Sequence, residues 1–256
     1  MCKRVTFFRA SLLFLALLPL DVLAQANMVP DLNISVGGES LAGGNGGVSS
    51  AIKIVLLLSV FSFVPALILT TTCFTRIVVV LGMTRTALGT QQAPPNMVLT
   101  GLALFLTASI MQPIFHDVYN NGISPYLEGS MTAEEAWREG SEPLRKFLVR
   151  HSREKDLALF LEISKTEVPE SPEDVPFLVA VPSFVLSELN VAFQIGFLLA
   201  LPFLVLDMVV SSVLTSMSMI TLPPVVISLP LKLMLFVVVD GWHLLVSSLV
   251  QTYQIT

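Results

Sequence analysis

Four runs of apolar residues, each nearly free of charge, divide the chain, and a polar stretch separates the first two from the last two. The first run extends from about Ile54 to Thr75, the second from Met97 to Phe115 and the third from Phe177 to Leu206. The fourth covers Met208 to Thr256. At 1.5 Å per residue, about 20 helical residues cross a hydrocarbon core of roughly 30 Å. The first three runs therefore predict helices, and Pro65 predicts a kink in the first. The fourth is too long for one helix. Its Thr221-Leu222-Pro223-Pro224 and Pro230 predict a helical hairpin or a broken helix.

Residues 117–174 differ abruptly. They carry thirteen acidic and seven basic residues, which is most of the chain's charge. Thr132 followed by Glu135 is a capping-box pattern that opens a short helix. Leu144, Phe147, Leu148 and then Leu157, Phe160, Leu161 recur at helical spacing and predict amphipathic helices. Val168-Pro169 to Pro176 predicts extended chain.

The N-terminus reads as a cleaved signal peptide over residues 1–24. Lys3, Arg4 and Arg9 precede the short apolar stretch Ser11–Leu20, and Val22-Leu23-Ala24 suits a cut before Gln25. Residues 25–50 contain six glycines among Ser and Asn, predicting a flexible extension. No Gly-Lys-Ser/Thr follows, so it is not a phosphate loop. The remaining blocks are a first helical hairpin (51–116), an acidic helical insertion (117–175) and C-terminal apolar helices with a broken hairpin (176–256).

Composition agrees with a membrane protein. The chain is 54% hydrophobic and only 13% charged, with mean hydropathy +0.78, whereas soluble domains are about a quarter charged. The formal net charge of −5 excludes nucleic acid as a partner, because phosphate binding needs a basic face. Of two cysteines, Cys2 leaves with the leader and Cys73 stays in an apolar run, so no internal disulfide is expected. His116, His151 and His243 are dispersed, and no metal, cofactor, nucleotide or catalytic pattern is present. With Gln25 outside the cytoplasm, Arg76 and Arg85 fall in a loop on the cytoplasmic side, as the positive-inside rule requires, and the acidic insertion falls outside.

Polar residues inside the apolar runs need a reason. Ser183, Ser187, Asn190 and Gln194 form one stripe at helical spacing, with Glu188 beside it. Such a stripe faces other helices or water rather than lipid. Asp207 and Lys232 each cost about 2.5–3.5 kcal/mol at a membrane centre, so pairing is expected. Their midpoint falls between Met219 and Ile220, just before Pro223-Pro224. A chain reversal there sets both residues at one level on antiparallel arms, pairing within one subunit or between neighbours. Met217 and Met219 mark the apex, where flexible apolar side chains either fill a contact or seal around variable contents.

These residues resemble the FliP/SctR family, the flagellar biosynthetic proteins of the type III export gate. Ser62-Phe63-Val64-Pro65-Ala66 through Arg76, Arg85 and Gln91-Gln92-Ala93-Pro94-Pro95-Asn96 are similar to its first block. Pro182-Ser183-Phe184-Val185-Leu186-Ser187-Glu188-Leu189 and Ala192-Phe193-Gln194-Ile195-Gly196-Phe197 are similar to its central signature. Leu229-Pro230-Leu231-Lys232-Leu233-Met234-Leu235-Phe236, ending Asp240-Gly241-Trp242, is similar to its C-terminal one. The likeness covers roughly residues 51–252.

The resemblance implies an all-α pore subunit without enzymatic activity. Several copies, expected to be five, assemble with FliQ and FliR into a helical closed gate in the inner membrane. FlhA and FlhB complete that gate, which admits unfolded flagellar subunits for export. Met217 and Met219 fall at the family's methionine gasket, where Ser218 departs from the usual methionine-dense run. Asp207 and Lys232 match the family's buried charges. The leader and the Gly-rich extension favour the flagellar branch over injectisome relatives. An ion-coupled transporter would instead show an inverted repeat with a second broken helix. A periplasmic sensor would place a ligand constellation in 117–174, and none is evident.

Overall fold

The structure is a computed structural model. It describes residues 35–36, 39–40, 47–166, 169, 171, 174–219 and 222–254. The leader and most of the Gly-rich extension lie outside the described residues, as does much of the expected extended stretch 168–176. The chain divides into two units, Met1–Ser62 and Phe63–Thr256.

In the first unit, β1 (Ser35–Val36) and β2 (Glu39–Ser40) pair antiparallel, with Val36 opposite Glu39. The sequence reading treated this stretch as featureless. Gly37-Gly38 between the strands is a dipeptide that tight hairpin turns favour. The other regular elements among the described residues are helices. Helix α1 (Gly47–Thr70) opens in this unit and runs on into the second.

The second unit contains α2 (Phe74–Ala87), α3 (Asn96–Val118), a π-helical turn (Tyr119–Ile123) and α4 (Ser124–Leu127). It continues with α5 (Ala133–Arg150), α6 (Glu154–Ser164), α7 (Phe177–Ser216), α8 (Pro224–Val238) and α9 (Gly241–Gln254). The all-α expectation therefore holds.

Helix α2 buries Ile77, Val80, Leu81 and Thr84, the i, i+3, i+4, i+7 pattern of one helical face. That face packs chiefly on α7 and α3. From α3 come Leu99, Ala103, Thr107 and Met111, and from α7 Ala180, Phe184, Ala192 and Gly196. Small residues at these crossings let backbones approach closely, which is how helices associate where lipid removes the hydrophobic drive.

Helix boundaries differ from the sequence reading in three places. Helix α1 is continuous through Pro65, and the break falls at residues 71–73, where α2 departs at 64°. Arg76 and Arg85, expected in a loop, both stand on α2. Helix α7 runs 40 residues through Pro182 and Pro202, taking in Asp207 and the first part of the expected fourth segment. Neighbouring helices and local adjustment satisfy the carbonyls that a proline frees, so proline bends such helices without ending them.

Likewise α8 continues through Pro230 and breaks at Val239–Asp240, where α9 turns away by 62°. Asp240 adopts φ 52°, a left-handed cap that Asp tolerates. A Cβ on the following Gly241 would strike the Phe236 ring, so the bend needs glycine there. Two helical stretches, Asn96–Leu127 and Phe177–Ser216, are long and apolar enough to cross a membrane, and up to four spans exist if each bent pair counts as one.

The acidic insertion folds as the periodicity predicts. Thr132 Oγ1 accepts from the Glu135 amide (3.3 Å), and Glu135 Oε2 accepts from the Thr132 amide (3.0 Å), a complete capping box. These donors hold the Glu135 carboxyl below its ordinary value. The π-helical turn reaches α5 at Gly122, where an added Cβ would meet the Gly140 Cα and the Ala136 carbonyl, and Gly140 is equally tight against Gly122.

Gly122→Ala or Gly140→Ala should therefore cost about 1–3 kcal/mol or more, because only backbone could move aside. Gly101→Ala meets nothing within 4 Å and should stay within about 1 kcal/mol of the parent. Thermal unfolding of the solubilised protein, with protease sensitivity of residues 117–164, checks both.

Candidate functional site

Two polar clusters organise the apolar interior of the second unit. The first centres on Glu188, fully buried at 0% exposure in the middle of α7. Arg76, 5% exposed on α2, answers it through both ends of its guanidinium. Nε donates to Glu188 Oε2 at 2.8 Å, and Nη2 donates to Oε1. The Tyr253 hydroxyl on α9 donates to Oε2 at 2.5 Å, and Arg76 Nη1 donates to Thr252 Oγ1 at 3.2 Å. The guanidinium also lies over the Tyr253 ring, 4.2 Å from its centroid. A bidentate pair with added donors is the geometry in which a buried ion pair repays its desolvation.

On the same stretch of α7, Ser183 and Ser187 hold the acidic insertion. Ser187 Oγ donates to Asp156 Oδ2 (2.6 Å) and accepts from the Arg153 amide (2.9 Å). Ser183 Oγ donates to the Asp156 carbonyl (3.3 Å) and to Val179 (2.6 Å). Arg153 closes the group with an ion pair to Asp156 at 2.7 Å. Burial alone would raise the Asp156 carboxyl, but the hydrogen bonds from Arg153 and Ser187 hold it below its ordinary value.

Close by, the His151 ring lies tilted against both Phe147 and Tyr253, with centroids 4.5 and 5.2 Å away. Burial pushes its imidazole below the ordinary histidine value.

The expected polar stripe thus divides. Ser183, Ser187 and Glu188 point inward, the two serines to Asp156 and Glu188 to Arg76 and Tyr253. Asn190 donates to the Leu186 carbonyl of its own helix (3.2 Å), and Gln194 is exposed. Arg85 donates to Asn96 Oδ1 at 2.5 Å and to the Pro94 carbonyl at 3.4 Å, closing the α2–α3 connection.

The second cluster lies on the α7–α8 hairpin. Lys232 Nζ donates to Asp207 Oδ2 at 2.5 Å and to the Ala87 carbonyl, at the end of α2, at 3.4 Å. Asp207 and Lys232 stand at one level within a single chain. Beyond them α7 ends in a Schellman turn, in which the Met219 amide donates to Leu214 and the Ser218 amide to Thr215, both at 3.0 Å. Ser218 takes the left-handed position at φ 58°, and Met217 and Met219 flank it, Met217 being well exposed.

Three residues that tie this interior together escaped the sequence reading. Arg76 was read as a topology charge, Tyr253 only as part of the fourth apolar run, and Asp156 only as one of the thirteen acidic residues of 117–174. Opposite charges alone in separate apolar runs, Arg76 beside the first and Glu188 within the third, were the available signal. Among the described residues no group of three or more His, Cys, Asp or Glu could hold a metal, and Cys73 is buried as a free thiol.

An all-α, membrane-type chain held by one interior ion pair and a braced hairpin is what this geometry defines. Residues 57–249 match the sequence model of the FliP family. The flagellar biosynthetic protein FliP of Bacillus subtilis (strain 168) is 52% identical over 206 residues, covering 80% of this chain and 93% of its own. That of Caulobacter vibrioides is 46% identical over 239 residues, covering 93% and 86%. That of Aquifex aeolicus is 40% identical over 230 residues, covering 89% and 93%. The chain belongs to the FliP family.

Removing one partner of the buried pair, by Arg76→Met or Glu188→Met, should cost about 3–5 kcal/mol. The double variant should cost less than the sum, and a double-mutant cycle on thermal unfolding reads that coupling. A second expectation concerns pH. Unfolded His151 takes up its proton near its ordinary 6.5, and the folded protein only at lower pH. Stability from the neutral imidazole is thus present above that value and lost as pH falls from it toward the folded value. Asp156 adds a further loss only on acidification below its ordinary 3.8. His151→Phe should flatten the fall in melting temperature between about pH 7.5 and 5.5.

Proposed function

We propose that this chain is a pore-forming core subunit of the flagellar type III protein-export gate. Several copies, expected to be five, associate with FliQ and FliR in the bacterial inner membrane and nucleate the basal body. FlhA and FlhB complete the gate, and unfolded flagellar subunits pass through it. Membership in the FliP family supports the flagellar assignment, since the relatives carry the name flagellar biosynthetic protein.

The observation that carries the pore role is the braced hairpin. Lys232 ties α8 to α7 and to the end of α2, so the Met217-Ser218-Met219 apex stands on a rigid stem while its methionine side chains remain adaptable. Exposed apolar residues along α1, α3 and α7, such as Phe61, Phe63, Phe105 and Phe197, suit contact with lipid and with neighbouring subunits. In this reading the leader of residues 1–24 is removed, the 117–175 insertion faces the periplasm, and Arg85 stays on the cytoplasmic side.

Deletion of the gene should abolish filament assembly and motility and leave growth unchanged; a motile deletion strain overturns the proposal. Met217→Ala with Met219→Ala should raise small-solute leak through the assembled gate severalfold, measured as ion or dye flux. An unchanged leak would leave the two methionines as apex packing only.

A further inference from the structure

The end of α9 meets the acidic insertion through one tyrosine. Helix α9 buries Leu245, Leu249 and Tyr253, which follow one another at four-residue intervals along one side. The Tyr253 ring faces Phe147 at 6.3 Å and His151 at 5.2 Å, both at the C-terminal end of α5. The seam between α5 and α9 is therefore aromatic, with the Arg76 guanidinium over the same tyrosine.

His151 is the member of this seam that changes charge near neutral pH. Its Nδ1 meets the Phe147 carbonyl at 2.9 Å, and a carbonyl only accepts, so Nδ1 carries the proton. Nε2 is closed off from solvent and has no hydrogen-bond partner. A proton placed there would become a buried donor with no acceptor, and would add a second cation beside Arg76.

The charges on the surrounding elements do not relieve that cost. Arg76 of α2 and Arg150 of α5 are cations themselves. Glu188 of α7 is engaged by Arg76 and Tyr253, and Asp156 of α6 by Arg153 and Ser187. Glu142 of α5 pairs with Lys146 at 2.5 Å, and Asp117 at the end of α3 is exposed. Neither ring nitrogen of His151 bonds a carboxylate. The way out to water is short, because the residue as a whole is only half-buried. With Tyr253 it lines an open cleft of about 760 Å³ between α3, α5 and α9. Turning the ring into that cleft exposes Nε2 and removes the surface on which Tyr253 rests.

We propose that protonation of His151 opens the seam between the acidic insertion and the end of α9. The closed form holds the imidazole neutral and only the open form takes the proton, so acid draws the population toward the open form. Ser183 and Ser187 keep their hold on Asp156, so the insertion stays on α7 while its α5 end parts from α9. An open-form imidazole with the ordinary value of 6.5 raises the open-to-closed ratio about tenfold between about pH 7.5 and 5.5. The inference stands apart from the pore reading. With the insertion outside the cytoplasm, it makes the seam responsive to external acidity.

Hydrogen exchange of the purified full chain in detergent tests this, read by mass spectrometry at the two pH values and corrected for intrinsic exchange. Amides of residues 147–153 and 249–254 should lose about tenfold in protection at the lower pH, while those of α2 and the middle of α7 keep theirs. His151→Phe keeps an apolar ring against Phe147 and Tyr253 and should remove the pH dependence. Unchanged protection in the parent protein overturns the proposal, as does the same loss in a folded His151→Phe variant. Should that variant not fold, the profile of the parent decides. A loss beginning near pH 6.5 supports the histidine, whereas one beginning only below about pH 4 belongs to carboxylates and counts against it. A loss spread evenly over the whole chain also rejects the proposal, because acid is then loosening the entire fold.

Discussion

A carboxylate and a guanidinium taken out of water together set the terms for this fold. Neither Glu188 nor Arg76 could remain buried without the other, because an unpaired charge in an apolar interior costs several kcal/mol even after relaxation. Satisfying both fixes the rotation of α2 and α7 about their axes and draws in α9 through Tyr253 and Thr252. Most of the remaining side chains on these helices are apolar and point away from the pair, leaving an outer surface that only lipid or protein would cover.

The insertion and the hairpin are secured by different means. Ser183 and Ser187 offer hydroxyls to Asp156 and its backbone, so the charged insertion is fastened to an apolar helix by short polar contacts. The hairpin is secured by a single lysine reaching a carboxylate and a helix-terminal carbonyl. Both attach to α7, which makes that helix the common support of the parts expected to face the periplasm and the pore.

Much of this was legible in the sequence, and the limits have physical causes. Apolar run length located the long helices, and the capping box of Thr132 and Glu135 located the start of α5, because both are local properties. The equal spacing of Asp207 and Lys232 about the turn was readable for the same reason. Pro223-Pro224 marked a true break, whereas α8 runs on through Pro230, since packing supplies what a proline removes inside a helix. The Arg76–Glu188 pair was missed because counting charges by membrane side assigns each to a surface and never asks for its partner. Gln194 shows the converse: periodicity put it on the stripe, yet each residue's orientation depends on which neighbour is close enough to meet it.

The span between the paired residues also has a consequence for synthesis. Glu188 follows Arg76 by 112 residues, and Tyr253 lies another 65 beyond. At ribosomal rates of about 5–20 residues per second, the arginine waits on the order of ten seconds for its partner. The Tyr253 hydroxyl arrives later still. The core is thus closed only once α9 has been made, and a product cut short before it leaves Glu188 without the Tyr253 hydroxyl that completes its shell. Translation past α9 becomes the event that commits the interior to one arrangement.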